Sequence, residues 1–161
     1  MILIIAYGNT LRGDDGAGLL LGERLEYAWR ARHVPVARLA AHQLVPELAI
    51  ELAQETVEVV VFVDTAVVKP DDRDPVVQVY PLTAHTIASN LGHQLDPSTL
   101  LIYADQLYGR RPPAWQVTIP GLAFEHGETL SPITQNALLT APIVLADWLD
   151  QVAATALASG R

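Results

Sequence analysis

An α/β fold, one sheet covered by helices on both faces, is predicted by two observations. Half of the 161 residues are hydrophobic, and short apolar runs of strand length alternate with segments of helical period. The strand-like runs are apolar almost throughout, as expected of strands buried on both faces. The length suits one domain, residues 1–161, with a substantial core.

The first element is the run Ile2-Leu3-Ile4-Ile5-Ala6. After a glycine-rich turn, Leu21, Leu25, Ala28 and Trp29 recur at helical spacing. Val34 to Leu39 reads as a second strand. Pro46 to Ala53 reads as a short helix with proline near its start, where the missing N–H costs nothing. Val57 to Val63 is the strongest strand signal, β-branched and apolar, expected to be central and to end at Asp64. Lys69 to Pro75 is a turn rich in Pro and Asp. Val76 to Tyr80 alternates as a half-exposed strand at or near a sheet edge. Pro81 to Leu95 has no strong period and reads as a loop. A helix is expected from Asp96-Pro97, cap and first residue, to about Tyr108. Trp115 to Ile119 is the last strand, and Pro120 to Leu130 reads as an exposed excursion. Ser131-Pro132 opens a long C-terminal helix that Pro142 should kink or divide.

Composition narrows the function. The chain has no cysteine, so it has neither a disulfide framework nor a thiolate nucleophile or ligand. A net charge of −8, with Lys69 the one lysine, argues against nucleic acid as a partner. No apolar run reaches membrane-spanning length, because Asp147 and Asp150 interrupt the last helix. The N-terminus lacks the charged region and cleavage site of a signal peptide, so a cytoplasmic protein without a membrane partner is expected.

The turn Gly8-Asn9-Thr10-Leu11-Arg12-Gly13-Asp14-Asp15-Gly16-Ala17-Gly18 carries the chemistry. Strand, glycine-rich turn and helix start resemble a nucleotide site, but there is no Gly-Lys-Ser/Thr, and Leu19-Leu20-Leu21 replaces x-x-Gly. Asp14 and Asp15 would repel phosphate from the helix N-terminus; they suit a cation better. Alternatively, one aspartate caps the helix and the other favours its dipole. Asn9 is expected to tie the turn by side-chain hydrogen bonds.

If the first and third strands are parallel, Asp15 and Asp64 meet at the carboxyl edge of the sheet, where open α/β sheets bind ligands. His93 is in the loop before the Asp96 helix and within reach of the same edge. Two carboxylates and an imidazole suit a divalent first-row metal, although the spacing alone is not specific. His42, in a His-Gln-Leu tripeptide repeated at His93, is either a loop histidine or a group facing the cleft. No G-x-S-x-G turn is present, which argues against a serine hydrolase.

The turn resembles the N-terminal signature of the hydrogenase maturation proteases, endopeptidases that trim the large subunit of nickel–iron hydrogenases. Further similarities follow in order: His42-Gln43-Leu44 with Pro46-Glu47-Leu48, Val63-Asp64, His93-Gln94-Leu95, and Leu130-Ser131-Pro132. The resemblance implies a three-layer α/β/α sandwich with a twisted, mostly parallel central sheet of about five strands. It implies removal of a short C-terminal peptide from the nickel-loaded large-subunit precursor, and it places the metal-contacting residues at Asp15, Asp64 and His93. Nickel would then come with the precursor, and a monomer is expected. The segment Gly121-Leu122-Ala123-Phe124-Glu125-His126 departs from the family's common pattern. The chief rival is a non-catalytic nickel-sensing chaperone of the same precursor. Others are a small-ligand or nucleotide-binding domain and a general metallopeptidase holding its own metal.

Overall fold

The computed structural model describes residues 1–69, 71–83 and 95–158. Five strands form one sheet in the order β2-β1-β3-β5-β4. They are β1 (Ile2–Tyr7), β2 (Val36–Ala41), β3 (Val59–Val67), β4 (Gln78–Leu82) and β5 (Ala114–Gly121). All pairings are parallel except β4 with β5. The helices are α1 (Ala17–Ala31), α2 (Leu48–Leu52), α3 (Pro97–Tyr108), α4 (Pro132–Val144) and α5 (Ala146–Ala158).

Alternation along the strands sorts the core into two layers. Ile2, Ile4, Val59, Val61, Val63, Val117 and Ile119 face α1, α4 and α5. Leu3, Ile5, Val60, Phe62 and Ala114 face α2 and α3. The fold is therefore a three-layer α/β/α sandwich. On α1 the expected stripe of Leu21, Leu25 and Trp29 is buried.

Local signals set several boundaries. Asp96 caps α3 by accepting a hydrogen bond from the Thr99 N–H (2.8 Å), with Pro97 at the first helical position. Ser131 caps α4 in the same way, again ahead of a proline. Pro142 lies within α4, and the helix gives way to α5 after Val144 with a bend of 57°. The proline has no N–H for the Leu138 carbonyl. Arg24 of α1 supplies the donor instead, from Nη1 at 2.6 Å. No single helix among the described residues is long and apolar enough to cross a membrane.

Several boundaries differ from expectation, and the fourth strand is at Gln78–Leu82 instead of Val76 to Tyr80. The short helix begins at Leu48, with Pro46 in the turn before it. The second strand runs later, Val36–Ala41. The third does not end at Asp64. It continues to Val67, because β5 pairs with it through Val67 and Gly121 after β1 has stopped at Val63.

Candidate functional site

The order β2-β1-β3 makes β1 and β3 the place where the chain reverses its direction of winding, and the crevice between their carboxyl ends is where such sheets bind ligands. Asp15 arrives there from the turn after β1, and Asp64 is the first residue of β3 beyond its pairing with β1.

Close backbone contacts shape the turn. Gly8 has φ +146°, and a Cβ on it would lie 2.1 Å from the Asp15 carbonyl oxygen, so only glycine fits. Asn9 Oδ1 accepts from the Leu11 N–H, and Asp15 Oδ2 accepts from the Asn9 N–H, both at 2.9 Å. Asn9 thus ties the turn as expected, and one oxygen of Asp15 is held in place. A 3-10 turn, Gly13–Gly16, then leads into α1.

Neither aspartate caps α1. Its N-cap is Gly16, with no side-chain bond. The Asp14 carboxylate is fully buried and turns away from α1. It accepts from the backbone N–H groups of Leu122 (2.8 Å), Ala123 (2.9 Å) and Ser131 (2.7 Å), and from Ser131 Oγ (2.6 Å). Burial raises its pKa, but these donors outweigh burial and hold it at about 2. Long-range donors have prevailed over the local preference of Asp for a cap.

The segment Pro120 to Leu130 is consequently no free excursion. Besides the Asp14 bonds, the Gly13 N–H donates to the Gly127 carbonyl (2.6 Å) and the Gly127 N–H to the Leu11 carbonyl (2.9 Å). Two loops far apart in sequence form one wall of the crevice.

Thr65, which sequence reasoning did not single out, joins that wall to β3. Its Oγ1 accepts from the Gly18 N–H (3.1 Å) and donates to the Asp14 carbonyl (2.9 Å). A Cβ on Gly18 would stand 3.0 Å from the Asp64 Cα. The start of α1 therefore rests directly on Asp64.

Asp64 is partly buried and accepts from the Thr65 N–H through Oδ1 (2.7 Å). Its pKa is raised to about 6: burial is the main cause, and the negative charge of Asp15 adds to it. Hydrogen bonds from the Thr65 N–H and the Tyr7 hydroxyl pull the other way. Tyr7, the last residue of β1, is pushed above the ordinary phenol range by burial and by the charge of Asp64, so it remains a proton donor. Its proximity to Asp64 also escaped the sequence, because an aromatic residue ending an apolar run reads as core.

Two mutually repelling carboxylates at a sheet edge favour a proton or a cation between them. His93 lies outside the described residues. Among the described residues no three side chains are grouped to hold a metal. His42 is exposed just past the carboxyl end of β2; His33 and His126 are also exposed.

No protein-family profile matches the chain, and no curated protein matches it in sequence. Solved structures do match. The NiFe hydrogenase maturation protease HycI from Thermococcus kodakarensis KOD1 superposes with a TM-score of 0.61 at 20% identity, over 92% of each chain. HybD from Thermococcus kodakarensis gives 0.61 at 18% identity, over 92% of this chain and 98% of its own. The hydrogenase maturating endopeptidase HybD from E. coli gives 0.56 at 20% identity, over 91% and 92%. The fold is that of the hydrogenase maturation proteases. At these identities it is the arrangement of elements that the chains share, and the mostly parallel five-stranded sheet agrees with it.

Proposed function

We propose that this protein is a cytoplasmic, monomeric hydrogenase maturation protease. It removes a short C-terminal peptide from the nickel-loaded precursor of the nickel–iron hydrogenase large subunit. Asp15, Asp64 and His93 recognise the metal that the precursor carries. The observation that supports this most is the pairing of Asp15 with Asp64 in the β1/β3 crevice, where their repulsion helps to raise the Asp64 pKa to about 6. A divalent ion brought by the substrate relieves that repulsion, so a loaded precursor docks better than an empty one.

Peptide hydrolysis also needs a base for the attacking water. Asp64 is ionised at neutral pH, and its carboxylate oxygen that does not contact the ion is the acceptor for that proton. It takes the water's proton as the oxygen bonds to the scissile carbonyl carbon, and returns it to the leaving amine as the C–N bond breaks. The substrate's nickel supplies the Lewis acidity at the carbonyl.

The test is cleavage of the cognate precursor, nickel-loaded and nickel-free, read as C-terminal mass. The expected result is loss of a peptide from the loaded form alone, abolished by Asp15→Asn, Asp64→Asn and His93→Ala. Stable nickel-dependent binding with an intact C-terminus would instead identify a chaperone.

A further inference from the structure

Asp15 and Asp64 carry like charges, and side chains that repel move apart unless the backbones beneath them are held. They come from different elements, Asp15 from the turn that leads into α1 and Asp64 from β3. Thr65 ties those two elements together. Its backbone N–H donates to Asp64 Oδ1 (2.7 Å). Its Oγ1 accepts from the Gly18 N–H (3.1 Å), donates to the Asp14 carbonyl (2.9 Å) and lies 3.5 Å from the Asp15 carbonyl. One residue thus holds the Asp64 carboxylate directly and the backbone before and after Asp15.

The hydroxyl supplies what the local sequence does not. The N-cap of α1 is Gly16, with no side-chain bond, so the Gly18 N–H is one of the helix's orphan donors. Thr65 Oγ1 is its acceptor from 47 residues away. The hydroxyl proton goes the other way, to the Asp14 carbonyl. Nor is the side chain free to swing out of this arrangement. Thr65 is β-branched, and its Cγ2 packs over Gly121, where an added Cβ would stand 2.5 Å from it. With the methyl seated there, the hydroxyl has one direction in which to point.

We propose that Thr65 is a positioning residue: its hydroxyl fixes the turn bearing Asp15 against the strand bearing Asp64, and so keeps the two carboxylates close enough to share one divalent ion. The assignment rests on the metal-recognising endopeptidase reading above. Repulsion within a held pair is relieved only by a cation. A pair free to separate relieves it by moving, and gains less when the ion arrives. A displacement of about 1 Å at a reacting centre costs on the order of a hundredfold in rate, so the same tie bears on cleavage as well as on recognition.

Thr65→Val keeps the branched shape and removes the hydroxyl. The full chain is titrated with fluorescein-labelled cognate precursor, nickel-loaded and nickel-free, and cleavage of the loaded form is followed as C-terminal mass. The quantity read is the ratio of the nickel-free Kd to the loaded Kd. Thr65→Val should lower that ratio on the order of tenfold, and kcat with it, while the nickel-free Kd stays within about twofold of the wild type. Thr65→Ser keeps the oxygen and should recover most of the loss. Thr65→Ala leaves room for water at the Gly18 N–H and the Asp14 carbonyl, and it carries the test if Thr65→Val does not fold. A purely structural role weakens both precursor forms alike, or neither. A ratio within about twofold of the wild type therefore overturns the positioning role, and wild-type cleavage leaves the endopeptidase standing. Failure of Thr65→Ser to recover the ratio overturns the role as well, since the methyl and not the hydroxyl would then matter. A wild type that prefers loaded precursor without cleaving it overturns the endopeptidase alone, and the ratio still decides for Thr65. A wild type that binds both forms alike overturns both.

Discussion

Ser131 closes on Asp14 with two bonds at once. Its backbone N–H and its Oγ donate to the two carboxylate oxygens at 2.7 and 2.6 Å. Ser131 is also the N-cap of α4, and its Oγ lies 3.0 Å from Thr134 Oγ1, which bonds the Pro120 carbonyl. One buried carboxylate thus joins the turn after β1, the loop after β5 and the start of α4.

Replacing Asp14 with alanine should therefore cost far more than a helix cap. It leaves the N–H groups of Leu122, Ala123 and Ser131 without their acceptor, a loss of about 3 kcal/mol or more. Urea unfolding at pH 7 measures it. A change below about 1 kcal/mol would mean that water or rearranged loops satisfy those donors without loss.

The same carboxylate sets an acid limit. Its folded pKa of about 2 is below the ordinary 3.8. The unfolded chain therefore binds the proton more readily, and the stabilisation is fully present above pH 3.8 and lost as pH falls toward 2. Acid unfolding followed by circular dichroism should lose this component in Asp14→Asn, whose stability varies less between pH 4 and 2 than that of the wild type.

Arg24 and Pro142 should prove coupled. Arg24→Met leaves the Leu138 carbonyl without its donor (2.6 Å in the wild type) and should cost about 1 to 2 kcal/mol. Pro142→Ala restores an N–H four residues on from that carbonyl, so in the Pro142→Ala background the Arg24 effect should shrink. A double-mutant cycle on unfolding free energies checks this; strict additivity would mean that Arg24 does not compensate for the proline.

Much of the framework was legible because its causes are local. The apolar runs of β1 and β3, the stripe on α1, and the Asp96-Pro97 and Ser131-Pro132 starts each express themselves within a few residues. The strand-end rule likewise brought Asp15 and Asp64 to one sheet edge. What was not legible depends on partners distant in the chain. Thr65 to Val67 follow a charged residue that interrupts the apolar run, and they are extended because β5 pairs with them. The Pro120 to Leu130 segment is polar and reads as exposed, yet Asp14 holds its start across 108 residues of chain. Asp14 itself looks like a cap by every local criterion. His93 was reached by its loop position and by the family resemblance, and it lies outside the described residues.

Asp64 offers the most direct check on the electrostatics of the site. Its carboxyl should titrate near pH 6 in the free protein, seen by carbon NMR of the labelled carboxyl group. Because the negative charge of Asp15 is one of the causes, Asp15→Asn should lower that midpoint, whereas a pKa due to burial alone would not move. The linkage has the opposite sign to that of Asp14. A folded pKa above the ordinary 3.8 means that the native state holds the proton longer, so stability is lost as pH rises from about 4 through 6. Asp64→Asn keeps an oxygen for the Thr65 N–H without the charge. At pH 8 it should be more stable than the wild type by about 1 to 3 kcal/mol, while cleavage of the loaded precursor is abolished. A variant that is both more stable and inactive identifies Asp64 as a residue whose charge the fold tolerates at a cost and the reaction requires. Unchanged stability at pH 8 would show that the folded protein solvates this carboxylate as well as water does, and would remove the electrostatic argument for a cation between Asp15 and Asp64.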